Sequence, residues 1–320
     1  MNPIRRVPPP STRMPGTPVV LVTLLLVAGC SRNTTGPSGG GTVTGRVTAA
    51  DGRTAIARAT VAVATTNAPS TLTDGSGSYT LSGVPSGTQS LRARRGNFER
   101  TFLVDVREGE TVTAPVAALQ PSGKLAYAPG FFDSIERVVR DQLGNPMDQL
   151  SASQLGSAGT LSQYRMIFLN CGLDTAPVQL GSSGASTLLA WVRGGGVLYA
   201  SDFALEYIVR MLPSDNIRYD GGRAETITAS VTDAGLQAFI GRSSVQIRYD
   251  LSGWYSPTSL PSRARVLLRG THRTSTGTAE RPLAFVIDEG AGRIVYTSFH
   301  NESGVTTDQI DVLRYYIHIE

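Results

Sequence analysis

His300-Asn301-Glu302 sets an imidazole and a carboxylate two residues apart, a pairing that can orient a general base for nucleophilic catalysis. Two residues could supply the attacking atom. Cys171 follows the apolar run Arg165–Asn170 (RMIFLN), and Ser201 ends the run Val197–Ser201 (VLYAS). With His300 activating either one, Glu302 holding the ring and backbone N–H groups near Gly172 as an oxyanion hole, the chemistry would be hydrolysis of a small acyl or sugar-derived substrate. The same residues have a plainer reading, which is favoured here. A cysteine at a strand end is most often a small buried hydrophobe, and Ser201-Asp202 ahead of Phe203-Ala204-Leu205-Glu206 reads as a helix N-cap. Trp254-Tyr255, in Ser252–Pro257, either caps the core or offers a stacking surface for a sugar, and the cap is favoured. For His272 in a Gly/Thr/Ser-rich loop (270–279), and for His318 in the last helix, surface roles suffice. Three histidines and two cysteines are too few for a disulfide framework or a paired-cysteine zinc cluster, so no metal and no cofactor is expected.

The elements that must hold these side chains alternate strand and helix. Lys124–Ala128 is a strand ending at Pro129-Gly130, and Phe131–Leu143 carries apolar residues at helical spacing until Gly144 stops it. Arg165–Asn170 and Val197–Ser201 read as strands buried on both faces, separated by a helix over Ser183–Arg193 and the breaker Gly194-Gly195-Gly196. A helical Phe203–Leu212 follows, then strands at Val245–Tyr249, Ala264–Arg269 and Leu283–Ile287, the last making a hairpin with Arg293–Thr297, and a closing helix over Thr307–Ile319. Right-handed crossovers between such strands give a three-layer α/β/α fold with a mainly parallel sheet over residues 124–320. In an open parallel sheet the carboxyl ends of the strands face one crevice, so Asn170, Cys171, Ser201, Asp202, His300 and Glu302 should share an edge.

This half resembles the class I glutamine amidotransferase-like, flavodoxin-like superfamily and its trehalose-utilisation (ThuA-like) relatives. The likeness is carried by Tyr164–Gly172, by Leu189-x-x-Val192-x-Gly194-Gly195-Gly196-Val197-Leu198-Tyr199-Ala200-Ser201-Asp202, and by Gly292–Glu302. In the amidotransferases the last stretch reads Phe-His-Pro-Glu and supplies two members of a Cys-His-Glu triad, so the resemblance puts His300 and Glu302 on those positions. Where that family places its cysteine this chain has Ser201-Asp202-Phe203 without the flanking glycines of a nucleophile elbow, and the proline is Asn301. The departure speaks against glutamine hydrolysis.

Residues 42–120 follow a different pattern. Short alternating segments (Val43–Val47, Ala59–Ala64, Ser78–Leu81, Gln89–Ala93, Thr101–Val106, Thr111–Val116) recur between turn signals at Asp51-Gly52, Asp74-Gly75 and Gly83-Val84-Pro85, which predicts a small antiparallel β-sandwich. Gly45-x-Val47, Asp51-Gly52, Ala59-Thr60-Val61, Thr73-Asp74-x-x-Gly77-x-Tyr79 and Gly83-Val84-Pro85-x-Gly87 resemble, in order and spacing, the carboxypeptidase regulatory-like domain with its prealbumin-like, carbohydrate-binding-like fold. The resemblance implies a spacer or accessory module of an exported protein, with glycan binding as an option that no ring platform supports.

The N-terminus reads as an export signal. Arg5, Arg6 and Arg13 precede the apolar run Val19–Ala28, which at ten residues is too short to span a bilayer that needs about 20. Val27-Ala28-Gly29-Cys30 resembles the lipobox of bacterial lipoproteins. The resemblance implies signal removal over 1–29, several acyl chains on Cys30 as a durable anchor, and outer-membrane sorting because Ser31 is not aspartate. Residues 30–41 are then a lipidated flexible tether. The net charge of +4 falls to +1 without the signal, and no basic run is longer than Arg94-Arg95, which leaves no footprint for nucleic acid. The expectation is a multi-domain, lipid-anchored cell-envelope protein of the outer membrane, facing a glycan or envelope-protein partner as a non-catalytic binding or assembly module. The alternative is a hydrolase built around His300.

Overall fold

Where β-branched residues alternate with small ones between turn glycines, the chain pairs into two small sheets. The computed structural model describes residues 39–172, 176–301 and 305–318; the expected signal at 1–29, Cys30 and Glu302 lie outside them. One sheet is ordered Ser78–Val84, Gly41–Thr48, Thr111–Thr113, with Ala117–Ala118 also pairing with Gly41–Thr48, the first strand in the chain, and the other Ser70–Leu72, Thr60–Val63, Gly87–Arg95, Phe98–Val106, Gln120–Pro121. Inward residues such as Val43, Val47, Val61, Leu81, Leu91 and Phe98 fill the space between the sheets and are buried. Gly77 adopts φ +76, and a Cβ there would lie 2.4 Å from the Val47 carbonyl oxygen, so the turn into buried Tyr79 requires glycine. Thr111–Thr113 closes its sheet parallel to the first strand.

The second half is a nine-stranded sheet in the order Met147–Gln149, Lys124–Ala128, Tyr164–Leu169, Val197–Ser201, Gly292–Thr297, Gly277–Glu289, Arg265–Thr274, Glu225–Val231, Ser244–Tyr249. It is parallel as far as Gly292–Thr297 and antiparallel beyond. The switch has a local cause: the Glu289–Gly292 connection is too short for a crossover and permits only a hairpin. Ala176–Arg193 and Leu205–Met211 cover one face, where Leu188, Val192 and Ile208 join Ile167, Leu198 and Ile294. Thr307–Ile317 and the segment around Val138 and Val139 cover the other, against Phe168, Tyr199 and Val295. The helix expected over Phe131–Leu143 is shorter, a π-helix over Arg137–Gln142 entered from Ile135, and the helix expected from Ser183 starts at Ala176 and kinks at Gly181 (φ +64). Among the described residues no helix is long and apolar enough to cross a membrane.

Ser38–Glu320 forms one compact unit. The sandwich core and the core of one sheet face are continuous. Phe98 packs 4.6 Å from the His318 ring, the Arg95 guanidinium lies 4.9 Å from the Phe239 ring centroid and 5.8 Å from that of Tyr315, and Arg165 donates to Asn97 Oδ1 at 2.9 and 3.1 Å. His318 is therefore no surface residue; it is fully buried at this junction. His272 is buried too, its Nε2 2.8 Å from Ser256 Oγ and its ring 4.6 Å from Trp254.

Candidate functional site

The parallel half of the sheet brings three strand ends together, as the alternation of elements required. Cys171 sits just past Tyr164–Leu169, Ser201-Asp202 at the end of Val197–Ser201, and His300 three residues past Gly292–Thr297. His300 Nε2 lies 2.8 Å from Asp202 Oδ2 and 3.1 Å from Cys171 Sγ, and Cys171 Sγ is 3.5 Å from Asp202 Oδ2. Cys171 is fully buried, Asp202 is 1% exposed, and the His300 side chain is 12% exposed, so the histidine is the face this cluster turns toward solvent.

Asp202 makes the corner. Its φ is +44, a left-handed conformation at the strand-to-helix turn, and its Oδ1 accepts the Tyr255 N–H at 2.6 Å while Oδ2 faces the histidine. The elbow geometry of a nucleophile is thus present with a carboxylate on it. Ser201-Asp202 does not cap the following helix through either side chain. The Ser201 hydroxyl donates to Asp133 Oδ2 and accepts the Cys171 N–H at 3.1 Å, so it is turned away from the imidazole and takes up one of the N–H groups expected for an oxyanion hole. Burial, reinforced by the Asp202 carboxylate, pushes the Cys171 thiol above its usual range.

Sequence reasoning missed Asp133. It is buried, and burial raises its carboxyl above the usual range although Ser201, His300 and the Asn301 N–H act against the shift. Its Oδ1 accepts the Asn301 N–H at 3.1 Å. A proline at that position has no N–H to give, and Asn301 also donates from Nδ2 to Tyr199 OH at 2.7 Å, so the departure from Phe-His-Pro-Glu is tied into the buried network. No periodic signal marks Asp133, 68 residues before its partner. Asn170, on the expected edge, donates to Glu136 Oε2 at 2.9 Å and not to the cluster.

The remaining candidates divide. Trp254 is 2% exposed, stacked 3.8 Å from Tyr249 with its Nε1–H donated to the Arg223 carbonyl, so it caps the core and offers no ring to a ligand. Tyr255 is half-buried, stacked 3.9 Å from Tyr219 and tilted against Phe203 at 4.7 Å, and Phe132 continues the ring row to His300 at 6.3 Å. Glu302 falls outside the described residues. The loop that carries Phe132 lies tight on the cysteine: a Cβ on Gly130 would stand 1.9 Å from the Cys171 carbonyl oxygen. Gly130→Ala is expected to destabilise the fold by about 1–3 kcal/mol, the range for overpacking, and thermal melting of wild type and variant checks this. An unchanged melting temperature would show that the loop does not hold this position in solution.

No curated protein matches the chain. Among solved structures it is similar to a ThuA-like protein from Bacteroides uniformis (13% identity, TM-score 0.45, 62% of this chain and 91% of the other). It is also similar to a GMP synthase-type protein from Thermoplasma acidophilum (13%, 0.42, 61% and 92%) and to a glutamine amidotransferase from Thermotoga maritima (12%, 0.39, 56% and 75%). Residues 42–120 match the carboxypeptidase regulatory-like domain, so the chain carries that domain ahead of an α/β domain whose similar solved structures include ThuA-like and glutamine amidotransferase-like proteins.

Proposed function

We propose that this chain is a lipid-anchored cell-envelope protein in which the regulatory-like sandwich and a catalytically degenerate amidotransferase-like domain act together as a binding or assembly module. One observation carries the non-catalytic part: the elbow position that faces His300 holds the carboxylate of Asp202, while the Ser201 hydroxyl is committed to Asp133. The anchor rests on Val27-Ala28-Gly29-Cys30 alone. Tyr255 and Phe203, on the ring row beside His300, are the residues on which a glycan or an envelope partner would rest.

A second reading, hydrolysis of small acyl or sugar-derived substrates, is favoured by the 3.1 Å approach of Cys171 Sγ to His300 Nε2. Its weakness is burial, since the thiol has no exposed surface for a substrate to meet. Residues 31–320 as a soluble chain are expected to turn over neither glutamine, nor esters, nor glycan fragments. Reproducible hydrolysis abolished by His300→Ala would end the binding reading. For the anchor, radiolabelled fatty acid is expected to enter the chain in cells and to be absent after Cys30→Ala; equal labelling of the variant would exclude lipidation at Cys30.

A further inference from the structure

The sequence contains too few histidines and cysteines for a familiar metal motif, yet folding gathers one thiol, one carboxylate and one imidazole from three strand ends. Their ligand atoms all lie within 4.8 Å of one another. We propose that Cys171 Sγ, Asp202 Oδ2 and His300 Nε2 form a binding site for a zinc-class divalent transition metal ion, with the fourth coordination position open on the His300 side.

The distances fit this role. Zinc bonds of about 2.3 Å to sulfur and about 2.0–2.1 Å to nitrogen and oxygen put tetrahedral ligand atoms about 3.3–3.6 Å apart. The Sγ to Oδ2 separation is already 3.5 Å, and the two histidine separations, 3.1 and 2.8 Å, need the imidazole to withdraw by about half an ångström. His300 is the least buried of the three. The donor set selects the ion class, because magnesium and calcium take oxygen ligands whereas sulfur with imidazole suits zinc and its neighbours. Outer partners hold two ligands in place: the Tyr255 N–H fixes Asp202 Oδ1 at 2.6 Å and leaves Oδ2 for the ion, and the Phe203 N–H is bonded to the Cys171 sulfur. A dication would meet a thiolate and a carboxylate, leaving no net charge in a buried place. On binding, the Cys171 S–H bond breaks, the sulfur lone pair goes to the metal and the proton goes to solvent; nothing is oxidised or reduced. The site stands apart from the binding or assembly reading, since it needs no partner and no turnover.

The experiment uses the full chain with Cys30→Ser, so that Cys171 is its one thiol, titrated with cobalt(II) and then with zinc(II). Expected are a thiolate-to-cobalt charge-transfer absorption that saturates at one equivalent, visible bands of tetrahedral intensity, and their loss when zinc is added. Cys171→Ser should remove the charge-transfer band, and His300→Ala should weaken cobalt binding by at least the about 10–100-fold that loss of an outer partner costs. Absence of the band at several equivalents of cobalt overturns the site, as does a band that survives Cys171→Ser. Should either variant fail to fold by circular dichroism, Asp202→Asn decides: weakened cobalt binding supports the site, and unchanged affinity overturns the assignment. Neither the presence nor the absence of glutamine or ester turnover has any bearing on these readings.

Discussion

Phe98→Ala lowers the stability of the whole folded chain by about 3–5 kcal/mol, the range for removing a buried aromatic ring, and does so in one calorimetric transition. Phe98 is 1% exposed and lies between the sandwich and His318, in a core that runs without a break from Val43 and Leu91 to Tyr199 and Tyr316. Two domains joined by a linker alone would melt separately, and a sandwich mutation would move one transition only. Here the sandwich lends surface to the sheet and the Thr307–Ile317 helix, so loss of the ring leaves a cavity that both halves share. Scanning calorimetry of wild type and variant distinguishes the cases. Two resolved transitions, one of them unmoved by the substitution, would mean that the shared core does not couple the halves.

Acidification is expected to remove about 3 kcal/mol through His318 alone, from the shift of its pKa from 6.5 to about 4 at 1.36 kcal/mol per unit. Burial is the main cause, with the Arg95 and Arg314 cations acting in the same direction against the Arg314 carbonyl that accepts from Nδ1 at 2.8 Å. The folded pKa of this base is depressed, so between about pH 6.5 and pH 4 the unfolded chain binds the extra proton and stability falls as pH falls. Above pH 6.5 the contribution is fully present. His318→Asn keeps an N–H near the Nδ1 position without the titration. Urea unfolding at pH 7 and pH 4 should therefore give a smaller loss in the variant than in wild type, by about 3 kcal/mol. Equal losses in the two proteins would show that His318 carries no part of the acid sensitivity.

Local chemistry told much of this in advance. The Val197–Ser201 run after Gly194-Gly195-Gly196 is legible because only a buried strand is apolar on both faces, and the shared edge of Cys171, Ser201 and His300 follows from parallel strands alone. What escaped depends on contacts between distant segments. Ser201-Asp202 before a helical stretch looks like a cap in every local respect, and only Asp133 and the Tyr255 N–H, brought in from either side, turn both side chains elsewhere. His272 looks like a surface residue because Thr271 and Arg273 flank it in a polar stretch, and His318 because it falls in the last helix, yet Trp254 and Phe98 close over them. The π-helix at Arg137–Gln142 keeps the apolar spacing of an ordinary helix and so is invisible to periodicity.

The left-handed turn at residue 202 restricts the alphabet of that position independently of any chemical demand on it. An L-residue there costs about 1–2 kcal/mol, least for asparagine and aspartate and nothing for glycine. Glutamate, the nearest acid, is disfavoured by the backbone rather than by its charge. Two of the three readily accepted residues are neutral, so a single replacement can silence the anion beside His300 while the scaffold stays whole. Lineages that keep or drop that charge can therefore diverge in what they hold at the sheet edge without any change of architecture.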